Sequence, residues 1–205
     1  VVVADANTGR ILTVVGQKTA YKSGYQPCST IKVPVALAAL SESLVDRLTQ
    51  IRLYGNTKVA MTEALARSNN QYFASLGEKL GFERMSYYAR LYGLGEKASL
   101  NIEEEQPGIL PAKTPASGMG MMTSFGDGIS LTPLELAALV GAVANGGTLV
   151  TPHLVERPTP QRWLGLKPDT LRVLRENETV RARAAAGLRH LLMDEFQDTD
   201  RVQLE

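Results

Sequence analysis

The chain puts its strand-like text first and its helical text after it, and that order is the strongest constraint on its fold. Val1 to Ala4 and Ile11 to Val15 are β-rich runs around a turn cluster, Asp5-Ala6-Asn7-Thr8-Gly9, and read as a hairpin with a five-residue connection. From Ser29 to about Leu44 the text is rich in Ala and Leu, with Val33, Leu37, Leu40 and Leu44 at helical spacing. Pro34 lacks an N–H, so the first turn there should be short or kinked. Thr62 to Leu80 and Glu83 to Tyr92 read as two more helices, each followed by glycine. Asn101 to Ser124 is rich in Pro, Gly and Met, shows no clear period, and reads as loop with room for short strands. Thr132-Pro133-Leu134-Glu135 is the best local signal: Thr132 as N-cap, Pro133 at the first helical position, Glu135 closing a capping box. That helix should run to about Ala144 and stop at Asn145-Gly146-Gly147. From Pro152 to Pro168 the text is broken by prolines, and beyond it turns helical again. Strands segregated from helices predict an α+β fold with an antiparallel sheet rather than alternating βαβ units.

Composition narrows the function classes. The 205 residues are 44% apolar and 21% charged, the balance of a globular protein with a real core. Net charge is +1, from 22 basic against 21 acidic residues, which leaves no global field for a polyanion. One cysteine rules out an internal disulfide, and two histidines argue against a structural zinc site. No apolar run approaches the length of a bilayer span, and no signal peptide is present. The chain opens on Val1, so it reads as a piece of a longer protein, any upstream address or anchor lying outside it.

Chemistry concentrates at Ser29-Thr30-Ile31-Lys32. Positions i and i+3 of a helix share a face, so Lys32 can stand beside the Ser29 hydroxyl. A serine nucleophile needs such a neighbour to take its proton, and lysine serves once burial or a nearby positive charge loosens its own. Helix N–H groups at Ser29 would favour a developing oxyanion. The same tetrapeptide also reads as a serine N-cap followed by a solvated lysine, and its spacing alone does not choose between them.

The flanking text does. Gln26-Pro27-Cys28-Ser29-Thr30-Ile31-Lys32-Val33-Pro34-Val35-Ala36-Leu37 resembles the active-site segment of the penicillin-binding proteins and serine β-lactamases. Ala66-Arg67-Ser68-Asn69-Asn70-Gln71-Tyr72-Phe73 resembles their second motif, S-x-N. Gln106-Pro107-Gly108-Ile109-Leu110-Pro111 is similar to a loop of peptidoglycan transpeptidases, and Ser124-Phe125-Gly126-Asp127-Gly128 through Thr132 to Gly147 is similar to their late helix and its entry. Val3-Ala4-Asp5 with Thr8-Gly9-Arg10-Ile11-Leu12 matches their first hairpin. The resemblance covers residues 1–176 and implies a transpeptidase-like α+β fold, an antiparallel sheet packed with helices plus a mainly helical subdomain. It implies catalytic roles for four residues. Ser29 would be acylated by a D-Ala-D-Ala stem peptide or a β-lactam, and Lys32 would be its general base. Ser68 would relay a proton to the leaving amine. Asn70 would hold the substrate's amide side chain and orient Lys32. No cofactor and no nucleic acid is implied; peptidoglycan stem peptides, β-lactams and cell-wall synthesis proteins are the implied partners, at the extracytoplasmic face of a bacterial inner membrane. A bare helix-capping role for Ser68 and Asn70 is the alternative.

Three features depart from the pattern. The family's third motif, Lys-(Thr/Ser)-Gly, should follow Gly147 by some tens of residues and does not. Lys113-Thr114-Pro115 and Lys22-Ser23-Gly24 stand in the wrong places and read as surface loop. The motif binds the substrate carboxylate and leads to an oxyanion donor, whose loss costs about 10²–10³ in rate in other enzymes, so the expectation is a C-terminally incomplete domain with impaired turnover. Cys28 replaces a glycine usual before the nucleophile and reads as a small buried thiol. Within residues 177–205, Val180-Arg181-Ala182-Arg183-Ala184 through Leu191-Leu192-Met193-Asp194-Glu195-Phe196-Gln197-Asp198-Thr199-Asp200 resembles the Walker B segment of UvrD-like helicases. There the match of Asp194 would bind Mg²⁺, that of Glu195 would polarise water and that of Gln197 would touch the nucleotide region. No P-loop accompanies them, so Asp194 and Glu195 have no metal role unless one completes the site. The rivals to a transpeptidase are a non-catalytic binding or scaffold module, a fused helicase fragment, and a β-lactamase, for which no glutamate sits in a recognisable hydrolytic motif.

Overall fold

The computed structural model describes residues 1–100, 102–155 and 160–175. The opening hairpin forms as its sequence dictates. Strands β1 (Val2–Ala4) and β2 (Ile11–Val14) pair antiparallel, Val2 opposite Val14 and Val3 opposite Thr13. Asp5 builds the turn: its Oδ1 accepts from the N–H groups of Asn7 and Thr8 and from the Thr8 hydroxyl. Gly9, at φ +81°, lies so near the Thr151 carbonyl that a Cβ there would come within 2.4 Å of its oxygen.

Two further antiparallel pairs follow, β3 (Gln50–Arg52) with β4 (Lys58–Ala60) and β5 (Thr148–Val150) with β6 (Gln161–Trp163). The strands are therefore antiparallel, but among the described residues they stand as separate two-stranded ribbons, not one sheet. A bridge from Arg10 to His153 ties the first ribbon to the chain after β5. Strand β6 falls in the stretch read as proline-broken; Pro160 lies just before it, where a missing N–H is tolerated.

The helices explain where the site sits. A 3₁₀ turn, Cys28–Ile31, leads into α1 (Lys32–Ser41), and Pro34 falls in the first turn, where no intrahelical bond is lost. The helix expected over residues 62–80 is instead cut in two. It forms α2 (Met61–Ala66), a turn at 67–69 with Ser68 at φ +50°, and α3 (Asn70–Leu91). Asn69 caps α3 by accepting from the Tyr72 N–H at 2.9 Å. A kink at Gly81 (φ 73°, ψ 165°) separates the two turns of text that read as two helices. Helix α4 (Gly118–Phe125) occupies part of the segment read as loop. It is short, opens on a glycine and lacks an amphipathic period of its own; packing on α3 holds it. The Thr123 hydroxyl stands between two carbonyl acceptors and donates its one proton to them, Phe73 at 3.0 Å and Met119 at 2.8 Å, and Gly77 leaves the room for it.

Helix α5 (Pro133–Asn145) keeps its predicted ends. Thr132 Oγ1 accepts from the Glu135 N–H, Glu135 Oε2 accepts from the Thr132 N–H, and Gly146 closes the helix in the left-handed region at φ +101°. Helix α6 (Pro168–Arg175) ends the described chain. The main core joins α1, α3 and α4 through Ile31, Leu37, Phe73, Leu76 and Met122; a smaller one under the hairpin holds Ile11, Tyr21, Leu100 and Leu134. Among the described residues no helix is long and apolar enough to cross a membrane.

Candidate active site

Ser29 is exposed on the 3₁₀ turn at the head of α1, while Lys32, one turn on, is 2% exposed. The turn is held from both sides. The Pro27 carbonyl accepts from the Thr30 N–H at 3.1 Å and from the Thr30 hydroxyl at 2.5 Å. Gly126, in the left-handed region after α4, packs on the Pro27 ring, where a Cβ would come within 2.4 Å. Gln26 Nε2 donates to the Phe125 carbonyl at 3.2 Å. The segment before Ser29 is thus clamped to the end of α4.

Lys32 gathers the sequence-predicted residues. Its Nζ donates to Ser29 Oγ at 2.9 Å, to Ser68 Oγ at 2.8 Å, to the Ser68 carbonyl at 3.0 Å and to Asn70 Oδ1 at 2.5 Å. An ammonium has three N–H groups, so these four oxygens share them. The structure therefore brings Ser29, Lys32, Ser68 and Asn70 to one nitrogen. Ser68 reaches it because the left-handed turn between α2 and α3 aims both its hydroxyl and its carbonyl the same way. Burial pushes the Lys32 amine down from its ordinary value to about 8. At neutral pH a tenth or so of such an amine is unprotonated, which is what a base for the Ser29 proton requires. The Ser68 hydroxyl on the same nitrogen extends the path, so a proton taken from Ser29 can leave toward a departing group.

Two expectations need correction or are settled by placement. Cys28 is exposed, not buried, and its backbone takes the left-handed conformation (φ 48°) that glycine adopts most readily. Lys22 pairs with Glu104 at 3.5 Å and Thr114 touches the Met119 sulfur; neither triplet joins the Lys32 network. Sequence reasoning missed Phe125, whose ring centroid lies 5.7 Å from Lys32 Nζ. Gly126 marks a helix end in the sequence, but the direction of the preceding ring is decided by how α4 packs.

The family model for the "penicillin binding protein transpeptidase domain" matches residues 1–187. The chain belongs to that family. Stage V sporulation protein D of Bacillus subtilis is 33% identical over 152 residues, 65% of this chain and 24% of that protein. Peptidoglycan D,D-transpeptidase MrdA of Acinetobacter baumannii is 30% identical over 176 residues, 72% of this chain and 25% of that protein. The chain thus spans about a quarter of the length of these curated relatives. Penicillin binding protein 3 of Mycobacterium tuberculosis, solved in complex with ampicillin, shares the fold with a TM-score of 0.69 at 22% identity, over 86% of this chain and 49% of that one.

The match accounts for the mixed architecture of ribbons and helices. Asp194, Glu195 and Gln197 lie outside the described residues, and none of the relatives named here is a helicase. Among the described residues no group of three or more His, Cys, Asp or Glu side chains is placed to hold a metal ion.

Proposed function

We propose that this chain carries the acylation site of a peptidoglycan D,D-transpeptidase, with Ser29 as nucleophile, Lys32 as base, Ser68 as proton relay and Asn70 as the residue that orients Lys32 and receives the substrate amide. The observation that carries the reading is one buried amine shared by two hydroxyls, Ser29 Oγ at 2.9 Å and Ser68 Oγ at 2.8 Å. Unprotonated Lys32 takes the Ser29 proton as Oγ bonds to the D-Ala carbonyl carbon. The amide C–N bond then breaks, and the proton passes through Ser68 to the leaving D-Ala amine. A second stem-peptide amine attacks the ester and restores Ser29. A β-lactam ring opens at Ser29 by the same first step.

Incubation of the full chain with benzylpenicillin, read by intact mass and peptide mapping, tests this. A mass gain of one penicillin on Ser29, lost in Ser29→Ala, is the expected result; an unmodified Ser29 overturns it. Because no Lys-(Thr/Ser)-Gly follows Gly147 in these 205 residues, acylation is expected to be slow. The same observation favours a second reading, a binding module that keeps the fold without the chemistry. It predicts saturable binding to purified peptidoglycan that survives Ser29→Ala.

The domain is taken as residues 1–176 and residues 177–205 as a tail; limited proteolysis that stops near residue 176 supports this division, and one protected fragment reaching the C-terminus counts against it. The helicase-like reading of the tail predicts nucleotide binding, and its absence in a filter assay removes that reading. Partners are peptidoglycan stem peptides and cell-wall synthesis proteins, at the extracytoplasmic face of the inner membrane.

A further inference from the structure

Four oxygens account for the hydrogen bonds of Lys32, yet the amine also has an aromatic neighbour on a different element. Phe125 is the last residue of α4, is 36% exposed, and places its ring centroid 5.7 Å from Nζ. That is within the roughly 6 Å over which a ring attracts a cation. The ring is not free to choose this position. Its own carbonyl accepts from Gln26 Nε2, the next residue is wedged on Pro27, and α4 is held to α3 by the Thr123 hydroxyl on the Phe73 carbonyl. The segment that presents Ser29 and the helix that presents Phe125 are therefore one rigid unit around Lys32.

We infer that Phe125 is a positioning residue of the Ser29–Lys32 pair: its ring holds the amine against the Ser29 and Ser68 oxygens and keeps water from it. The inference rests on the acyl-transfer reading above. The ring acts on Lys32 in two opposed ways. Its electron-rich face favours the ammonium, and its bulk, by excluding water, favours the free amine. Facing Nζ are Ser29 from the turn before α1, Ser68 and Asn70 from the α2–α3 junction and Phe125 from α4. Burial pushes the amine down from its ordinary value.

The opposed effects separate in two variants of the full chain. Phe125→Leu keeps the apolar cover and removes the ring face; Phe125→Ala lets water in. Two readouts follow each: the pH midpoint of Ser29 acylation by benzylpenicillin, and the titration of Lys32 Nζ by ¹⁵N NMR. Phe125→Leu should move both midpoints down by about half a pH unit. Phe125→Ala should move them up by about one unit, lowering acylation at pH 7 about tenfold with little change at high pH. Phe125→Tyr, which keeps ring and cover, should restore the parent profile. If Lys32 titrates alike in the parent, Leu and Ala proteins, the role of Phe125 is overturned. If the Lys32 midpoints shift as stated while Ser29 takes no penicillin at any pH, the positioning role holds and the acyl-transfer reading fails instead. Should the Ala protein not fold, the Leu and Tyr proteins decide.

Discussion

Lys32 Nζ meets Ser68 twice, at its hydroxyl (2.8 Å) and at its backbone carbonyl (3.0 Å). Both contacts depend on Ser68 standing at φ +50°, a conformation that costs a non-glycine residue about 1–3 kcal/mol and persists only where the surroundings impose it. The turn is fixed by the Asn69 N–H on the Ala64 carbonyl and by the Asn69 cap on α3. Ser68→Ala removes the hydroxyl and leaves the turn. It should slow Ser29 acylation by about 10²–10⁴, with a melting temperature near that of the parent; an acylation rate within twofold of the parent would exclude a proton relay through Ser68.

The pH dependence follows from the depressed Lys32 amine. On the proposed reading, in which the free amine takes the Ser29 proton, acylation should rise about tenfold per pH unit up to about 8 and then level. Stability carries the same signature. Between about 8 and the ordinary lysine value near 10.5, the unfolded chain binds a proton that the folded chain has released, so stability rises with pH across that window. Below it the cost of a buried ammonium is present in full. Tyr72 and Tyr88 are pushed up to about 12 by burial and titrate with the opposite sign above pH 10, so the difference between the parent and Lys32→Met isolates the lysine. Urea midpoints at pH 7 and 10 check it: Lys32→Met should gain more over the parent at pH 7 than at pH 10.

Cys28 occupies a left-handed position next to Ser29 (φ 48°). Cys28→Gly should stabilise the chain by about 1 kcal/mol, the relief of backbone strain less the extra freedom of unfolded glycine. The exposed thiol of the parent should also react with a thiol reagent in the folded state. A slow reaction that tracks global unfolding would contradict its placement.

Helices α3 and α4 cross where Gly77 meets Thr123; a Cβ on Gly77 would lie 2.1 Å from Thr123 Oγ1 and 2.8 Å from its Cβ. Gly77→Ala should therefore destabilise by about 1–3 kcal/mol despite alanine's better helix propensity. Combined with Thr123→Ala, part of that loss should return, giving a coupling of opposite sign in a double-mutant cycle. Strict additivity of the urea-derived values would mean that the two residues do not press on each other.

Glu135 is 1% exposed and uses both carboxylate oxygens on backbone N–H groups, Oε1 on Gly95 and Oε2 on Thr132, each at 2.7 Å. It thus joins the start of α5 to the loop after α3. Glu135→Gln keeps the shape but turns one acceptor into a donor facing an N–H. A loss of about 1–3 kcal/mol is expected in urea unfolding. An unchanged midpoint would show that the carboxylate is not needed at this junction.

Local text was enough wherever a feature is settled within a few residues. The hairpin turn is built by Asp5 and Thr8, and α5 by Thr132, Pro133, Glu135 and Gly146, since capping groups satisfy backbone partners two to four positions away. Ser29 and Lys32 share a face by the same short-range logic. What the residue pattern could not decide was set by contacts across the fold. The Ser68-Asn69-Asn70 run within residues 62–80 offers a local cap, and Asn69 makes it, but that the turn there carries the Ser68 oxygens to a lysine 36 positions earlier is decided by how α1 packs on the α2–α3 junction. Helix α4 has no periodic signal and exists through Thr123 and Gly77 on α3, and its packing alone carries Phe125 to the amine. The depressed Lys32 likewise belongs to no tetrapeptide, since burial is a property of the three helices closed around it.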